Sequence, residues 1–213
     1  MIRKVLALLM TLSLLPFAAW AQEEGTAEEP MVFPAFEAEN LLDAEHRVTE
    51  AIFQEADLTL LNYWASWCGP CAEELPDLGE LSALSEGRVQ VVGVLLDGLT
   101  VSKDGESTER NEQEIEDALA LMADAKAEYP LLMPEGFLGM LSSVITAVPT
   151  TFLINRDGEL LGAVSGARSA EEWLELANSL LAEAETEMEA ETETEAETET
   201  ETETEAETEA EAT

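Results

Sequence analysis

The two cysteines of this 213-residue chain, Cys68 and Cys71, stand three positions apart inside NYWASWCGPCAEELP, residues 62–76. Thiols so placed can serve as a staple, a metal clip or a reaction centre. As a staple the pair is poor, because a disulfide across so short a loop takes little freedom from the unfolded chain. As a zinc clip it is short of ligands: a structural site wants four, and the single histidine, His46, sits in a polar amino-terminal stretch and reads as a surface residue. A reaction centre fits better. The pair falls where an apolar run gives way to a helix, so Cys68 would hold the helix start, where unpaired N–H groups and the helix dipole favour a thiolate. Pro70 suits the first turn, in which a missing N–H costs nothing. A Cys68 thiolate can attack a partner's disulfide, and Cys71, on the same helix face, can then release the product by closing the ring.

The elements that must present this pair read as mixed α/β. LTLLNYWA (58–65) and VQVVGVLLD (89–97) are nearly continuous apolar runs, as in strands buried on both faces. Between them a helix is expected from Cys68 to about Glu86, carrying Leu75, Leu78, Leu81 and Leu84, which makes a right-handed parallel crossover. GLTVSKDGESTERN reads as a polar loop, and Ile115, Leu119 and Met122 mark a following helix. YPLLM is a short strand candidate and GFLGMLSSVITA a short helix. TTFLINRDGELLGAVSG reads as two strands around Asp157-Gly158, a hairpin turn signal. Ser169 with Glu172 has the form of a capping box, opening a last helix through Trp173, Leu176 and Leu180. Trp64 and Tyr63 are expected in the core, as are Met122, Met133 and Met140.

The two ends of the chain differ from this middle. Residues 1–21 have the form of a secretory leader: a basic MIRK, an apolar run shorter than the roughly 20 residues a membrane span needs, and Ala19 and Ala21 at cleavage positions. Cleavage before Gln22 is expected, leaving a protein outside the cytoplasm, in the periplasm or at the cell surface, with no stable membrane insertion. Residues 22–32 read as an acidic linker. Residues 183–213 alternate Glu with Ala, Thr and one Met, so like charges crowd together with almost nothing apolar to bury, and a disordered tail is expected. The formal net charge of −38 excludes a basic nucleic-acid surface and disfavours an anionic membrane face.

WASWCGPC resembles the active-site motif of the thioredoxin superfamily. LNYWASWCGPCAEELP is more similar still to its extracytoplasmic TlpA/ResA-like thiol-disulfide oxidoreductases. The resemblance spans residues 33–182 and rests on Trp67–Cys71, Pro76 and VPTTFLINRDG. It implies a thioredoxin-like fold, a central mixed β-sheet flanked by helices, in which Pro76 kinks the active-site helix. Val148-Pro149 would be the cis-proline bond packed beside the disulfide, with neighbouring backbone free to pair with a bound substrate strand. Trp67, Gly69, Pro70, Val148 and Pro149 would form the substrate-binding surface. Cytoplasmic thioredoxins carry an acid where Asn62 stands, and Asn cannot accept the proton. Glu74 is the replacement the resemblance suggests, a carboxylate that burial would hold at a raised pKa for the proton of Cys71.

The function expected is therefore an extracytoplasmic enzyme that reduces protein disulfides, with Cys68 as nucleophile, Cys71 as resolving thiol and Glu74 handling the proton. It would be a monomer with no metal and no cofactor beyond its redox disulfide. Its partners would be protein thiol and disulfide clients and, as the resemblance implies, a membrane-bound electron donor. Apocytochrome c preparation and general redox homeostasis are the roles the resemblance suggests. Two alternatives remain, the first from the same broad class and the second from a different one. A thiol peroxidase would carry a Thr just ahead of a solitary peroxidatic Cys, where this chain has Ala65-Ser66-Trp67 and a second Cys. A non-catalytic binding module would use the scaffold only for display.

Overall fold

The computed structural model describes residues 30–101 and 108–186. The expected leader, all but the last three residues of the expected linker, and the tail beyond residue 186 lie outside the described residues. The first elements among the described residues are β1 (Glu37–Asn40), β2 (Asp43–Thr49) and a short 3-10 helix (Glu50–Glu55). The crossover follows: β3 (Leu58–Trp64), α1 (Gly69–Leu84) and β4 (Val89–Leu95). Next come β5 (Leu99–Val101), β6 (Thr108–Arg110), α2 (Glu112–Ala125), β7 (Leu131–Leu132) and α3 (Gly136–Ser142). A hairpin of β8 (Thr150–Asn155) and β9 (Leu160–Ser165) leads to a last helix, α4, over residues 170–186.

Seven strands form one mixed sheet in the order β2-β1-β7-β4-β3-β8-β9. β3 lies at its heart, parallel to β4 and antiparallel to β8. Every residue of β3 is buried, which is why its sequence is apolar without alternation. The pleat still sorts its side chains. Leu61 and Tyr63 join an aromatic-rich core with Phe33, Phe36 and Phe53, while Leu58, Leu60 and Trp64 face the opposite layer. That second layer is built from Leu75, Leu78 and Leu81 of α1, Ile115, Ala118 and Met122 of α2, and Trp173 and Ala177 of α4. Burying each such large apolar side chain stabilises the fold by about 1.5–3 kcal/mol. The sheet and the second layer together hold the β3–α1 junction between them.

Four features depart from the sequence expectations. The segment read as a polar loop contains the two-stranded sheet of β5 and β6, too short and too polar to show a strand period. β1 and β2 had no recognisable signal: β2 is exposed or half-buried along its length, and its charges suit a sheet edge. His46 lies on it, exposed, with Nδ1 2.9 Å from Asp43 Oδ2. Met140 is 69% exposed rather than core, because it lies on the outer side of a helix of only two turns, whereas Met122 and Met133 are buried. The last helix also continues past residue 182, and Glu185 Oε1 accepts from the Arg88 guanidinium at 2.7 Å.

Candidate active site

Chain direction places the cysteines. β3 ends at Trp64, buried Ala65 and half-buried Ser66 follow, and the chain then emerges at Trp67, which is 66% exposed. Cys68 is the N-cap of α1, in extended backbone, with its N–H donating to Ala65 O at 3.0 Å. Cys71 lies in the first turn, and the two sulfurs are joined in a disulfide across Cα atoms 5.2 Å apart. Cys68 Sγ accepts the Cys71 N–H at 3.2 Å, the donation by which a helix start stabilises a capping anion. Both sulfurs are largely covered, Cys68 at 4% exposure and Cys71 at 1%. Gly69 is open: a Cβ built there meets nothing within 4 Å.

The far wall comes from the loop before β8. The Val148–Pro149 peptide bond is cis. Val148 O lies 3.7 Å from Cys68 Sγ, so a backbone acceptor faces the sulfur on the side away from α1. Trp67, Leu96, Ile145, Thr146, Ala147 and Val148 line a shallow cavity of about 350 Å³ beside the disulfide. Pro76 lies inside α1, beyond Leu75.

Behind the disulfide, Glu74 is 2% exposed. Its Oε1 accepts the Arg168 backbone N–H and the Trp173 indole N–H, each at 2.9 Å, while its Oε2 is buried without a partner. Burial pushes its pKa up and the charge of Asp77 adds to that. The Arg168, Trp173 and Asn62 donors pull the other way without cancelling it. Asn62 is itself buried and donates to Thr151 Oγ1 at 2.9 Å. The sequence pattern marked Trp173 only as an apolar helix position; its indole N–H is a polar anchor for the carboxylate.

A second acidic group flanks the junction. Asp97 follows β4 at the same end of the sheet, and its Oδ2 accepts both the Ser66 N–H at 3.1 Å and the Ser66 hydroxyl at 2.8 Å. Glu114 Oε2, from the first turn of α2, also meets the Ser66 hydroxyl. The sequence reading passed over this group. Its one available signal was position, since Asp97 closes the apolar run of a parallel strand at the carboxyl end, where open α/β sheets collect their sites. Among the described residues no three His, Cys, Asp or Glu side chains gather as metal ligands.

A buried sulfur pair capped by a helix start, a backbone acceptor opposite and a protonatable carboxyl behind can carry dithiol–disulfide exchange. Comparison with known proteins agrees. The AhpC/TSA family matches residues 31–162. The chain is 30% identical over 166 residues to sporulation thiol-disulfide oxidoreductase A of Bacillus subtilis, covering 76% of this chain and 92% of that one. It is 31% identical over 149 residues to a thiol:disulfide interchange protein DsbE homolog of Paracoccus denitrificans, covering 69% and 70%. Among solved structures it is similar to a thiol:disulfide interchange protein DsbE described as putative, from Chlorobium tepidum, with a TM-score of 0.52 and 29% identity over 72% of this chain and 95% of that one.

Proposed function

The chain belongs to the AhpC/TSA family and is a thiol-disulfide oxidoreductase of the ResA, StoA and DsbE type, and from that premise we propose that it reduces the disulfides of client proteins outside the cytoplasm. In the reduced enzyme the Cys68 thiolate attacks one sulfur of a client disulfide, and the client's other sulfur leaves as a thiolate. Cys71 then loses its proton to Glu74 and attacks Cys68 Sγ, which expels the second client thiolate and forms the Cys68–Cys71 disulfide. Two electrons pass from the enzyme's dithiol to the client. The structure holds the oxidised product of that cycle.

The observation that carries this reading is the pairing of Cys68 Sγ with the Cys71 N–H on one side and Val148 O on the other. The first stabilises the attacking thiolate, and the second marks where a client backbone can run. Trp67, Val148 and Pro149 form the rim, and Gly69 adds no side chain beside the sulfur. The reducing direction is supported by the resemblance of Gly69-Pro70 to the pair found in thioredoxin-type reductants. The resemblance also supports apocytochrome c or misoxidised proteins as clients and a membrane-bound donor as the source of electrons.

A Cys71→Ser variant tests the reading. Lacking the resolving thiol, it should accumulate a mixed disulfide through Cys68, identifiable by mass spectrometry, while the unaltered protein accelerates insulin reduction by dithiothreitol. Absence of both activities in folded protein sinks the reading.

A further inference from the structure

Ser66 separates the buried end of β3 from the exposed Trp67, so its position decides where the next two residues sit. A carboxylate oxygen approaches its hydroxyl from each of two sides, Asp97 Oδ2 at 2.8 Å and Glu114 Oε2. A hydroxyl carries one proton and can donate it once. Two ionised carboxylates against one hydroxyl would leave one contact between two lone pairs and two negative charges facing each other across it. The arrangement closes only if one carboxyl is itself protonated and donates to Oγ while Oγ donates to the other.

Glu114 stands in the first turn of α2, where the helix dipole favours an anion, and Asn111 contributes no side-chain cap to compete for those N–H groups. Asp97 stands at no helix start: its Oδ2 accepts the Ser66 N–H and hydroxyl, and its second oxygen, Oδ1, is buried without a partner. The groups that bear on Asp97 are Ser66, its own N–H and Glu114, with no basic side chain among them in the described residues. Burial and the Glu114 charge raise its pKa above the usual carboxylate range, against the pull of the Ser66 donors.

We infer that Asp97, Ser66 and Glu114 form a clamp in which the two carboxyls share one proton across the Ser66 hydroxyl, fixing the segment that carries Trp67 and Cys68. Asp97 is thus a positioning residue for the attacking sulfur. When the shared proton leaves, the carboxylates repel across Ser66 and the added negative charge disfavours the Cys68 thiolate, two residues away. The clamp couples the nucleophile's ionisation to that of the acid pair. This inference rests on Cys68 being the attacking thiol, and it is tested by a titration that needs no client.

The reduced full-length protein is titrated by thiolate absorbance in the ultraviolet, with a Cys71→Ser background so that Cys68 is the only thiol. The parent should titrate in two steps, as coupled groups do. Asp97→Asn, whose amide mimics the protonated carboxyl, should titrate in one. Glu114→Gln removes a like charge that adds to the effect of burial on the Asp97 pKa, so the acid step should move to lower pH. In the Cys71-containing protein, Asp97→Ala should slow exchange by about tenfold, as misplacement of a reacting group does, and Asp97→Asn should restore most of it at acidic pH. A single-step parent titration, or a Glu114→Gln step that stays put or moves upward, overturns the clamp. Insulin reduction by the unaltered protein reports on the proposed function separately.

Discussion

The two sulfurs of one disulfide look into different parts of the molecule. Cys68, 4% exposed, lies against the Val148 carbonyl, next to the exposed Trp67 and an open Gly69. Cys71, 1% exposed, lies on the same side of α1 as the buried Glu74, and both cysteines belong to the buried cluster of Leu75, Ile115 and Met122. The Cys68 sulfur has a helix N–H to stabilise its anion, and the Cys71 sulfur has a carboxyl to take its proton. A ring closed across one helical turn thus gives two thiols unequal access and unequal chemistry, which an exchange enzyme needs to keep attack and release in order.

Swapping which sulfur remains breaks that comparison most sharply. In a reduced Cys68→Ser variant only the enclosed thiol is left, and protein-disulfide reduction should fall by about a thousandfold or more, as when a covalent nucleophile is removed. The reduced Cys71→Ser variant should still react with a bulky alkylating reagent at Cys68, whereas Cys71 in the Cys68→Ser protein should react about a hundredfold more slowly, because thiolate character and access both fall. Equal alkylation of the two variants would remove the asymmetry.

Glu74 tests the inner side alone. Glu74→Gln keeps an oxygen to accept from Arg168 and Trp173 but cannot take a proton. Formation of the mixed disulfide should stay within about twofold, while its resolution by Cys71 slows by about a hundredfold, the usual weight of a general base. Stopped-flow traces of the two half-reactions separate these outcomes. Equal slowing of both would place Glu74 in the positioning of Cys68 rather than in proton transfer.

The outer side was legible from residues close together in sequence, and the inner side was not. Cys68, Cys71, Trp67 and the buried strands on either side of α1 follow from spacing and apolar runs, because a helix start and a parallel crossover are local consequences of local sequence. Glu74 could be picked out by position, but Trp173 and Arg168, which hold it, lie 99 and 94 residues away. Asp97 and Glu114 stand 31 and 48 residues from Ser66 and meet it only because β4 ends where α2 begins. No periodicity carries that meeting. The same limit hid β2, whose polar residues satisfy a sheet edge and leave no apolar stripe to read.

Trp67 tests the outer side with a smaller expected effect. Its ring is exposed and lines the cavity beside Val148, so it stabilises no core, and its surface is available to a client. Trp67→Ala should raise KM for a protein disulfide by about tenfold, the weight of one buried aromatic contact of about 1.4 kcal/mol, and leave a small disulfide reagent nearly unaffected. A matching loss with the small reagent would mean that Trp67 shapes the sulfur itself.

The smallest effect concerns stability and returns to the inner side. Glu74 has a folded pKa raised above its unfolded value, chiefly by burial. Below the unfolded value the carboxyl is protonated in both states and contributes nothing to pH dependence. As pH rises between the two values the unfolded chain ionises first, so stability is lost through that window and the loss is complete once pH exceeds the folded pKa. Each unit of separation is worth about 1.4 kcal/mol. Glu74→Gln removes the penalty, so the variant should gain on the parent in denaturant midpoint from mildly acidic pH upward and show no such gain in strong acid. Cys71 sharpens the outcome: in the reduced protein the same carboxyl is to accept its proton, and a raised pKa is what keeps that transfer near balance. A gain in strong acid alone would reverse the sign and show the carboxylate, not the acid, to be the form the fold prefers.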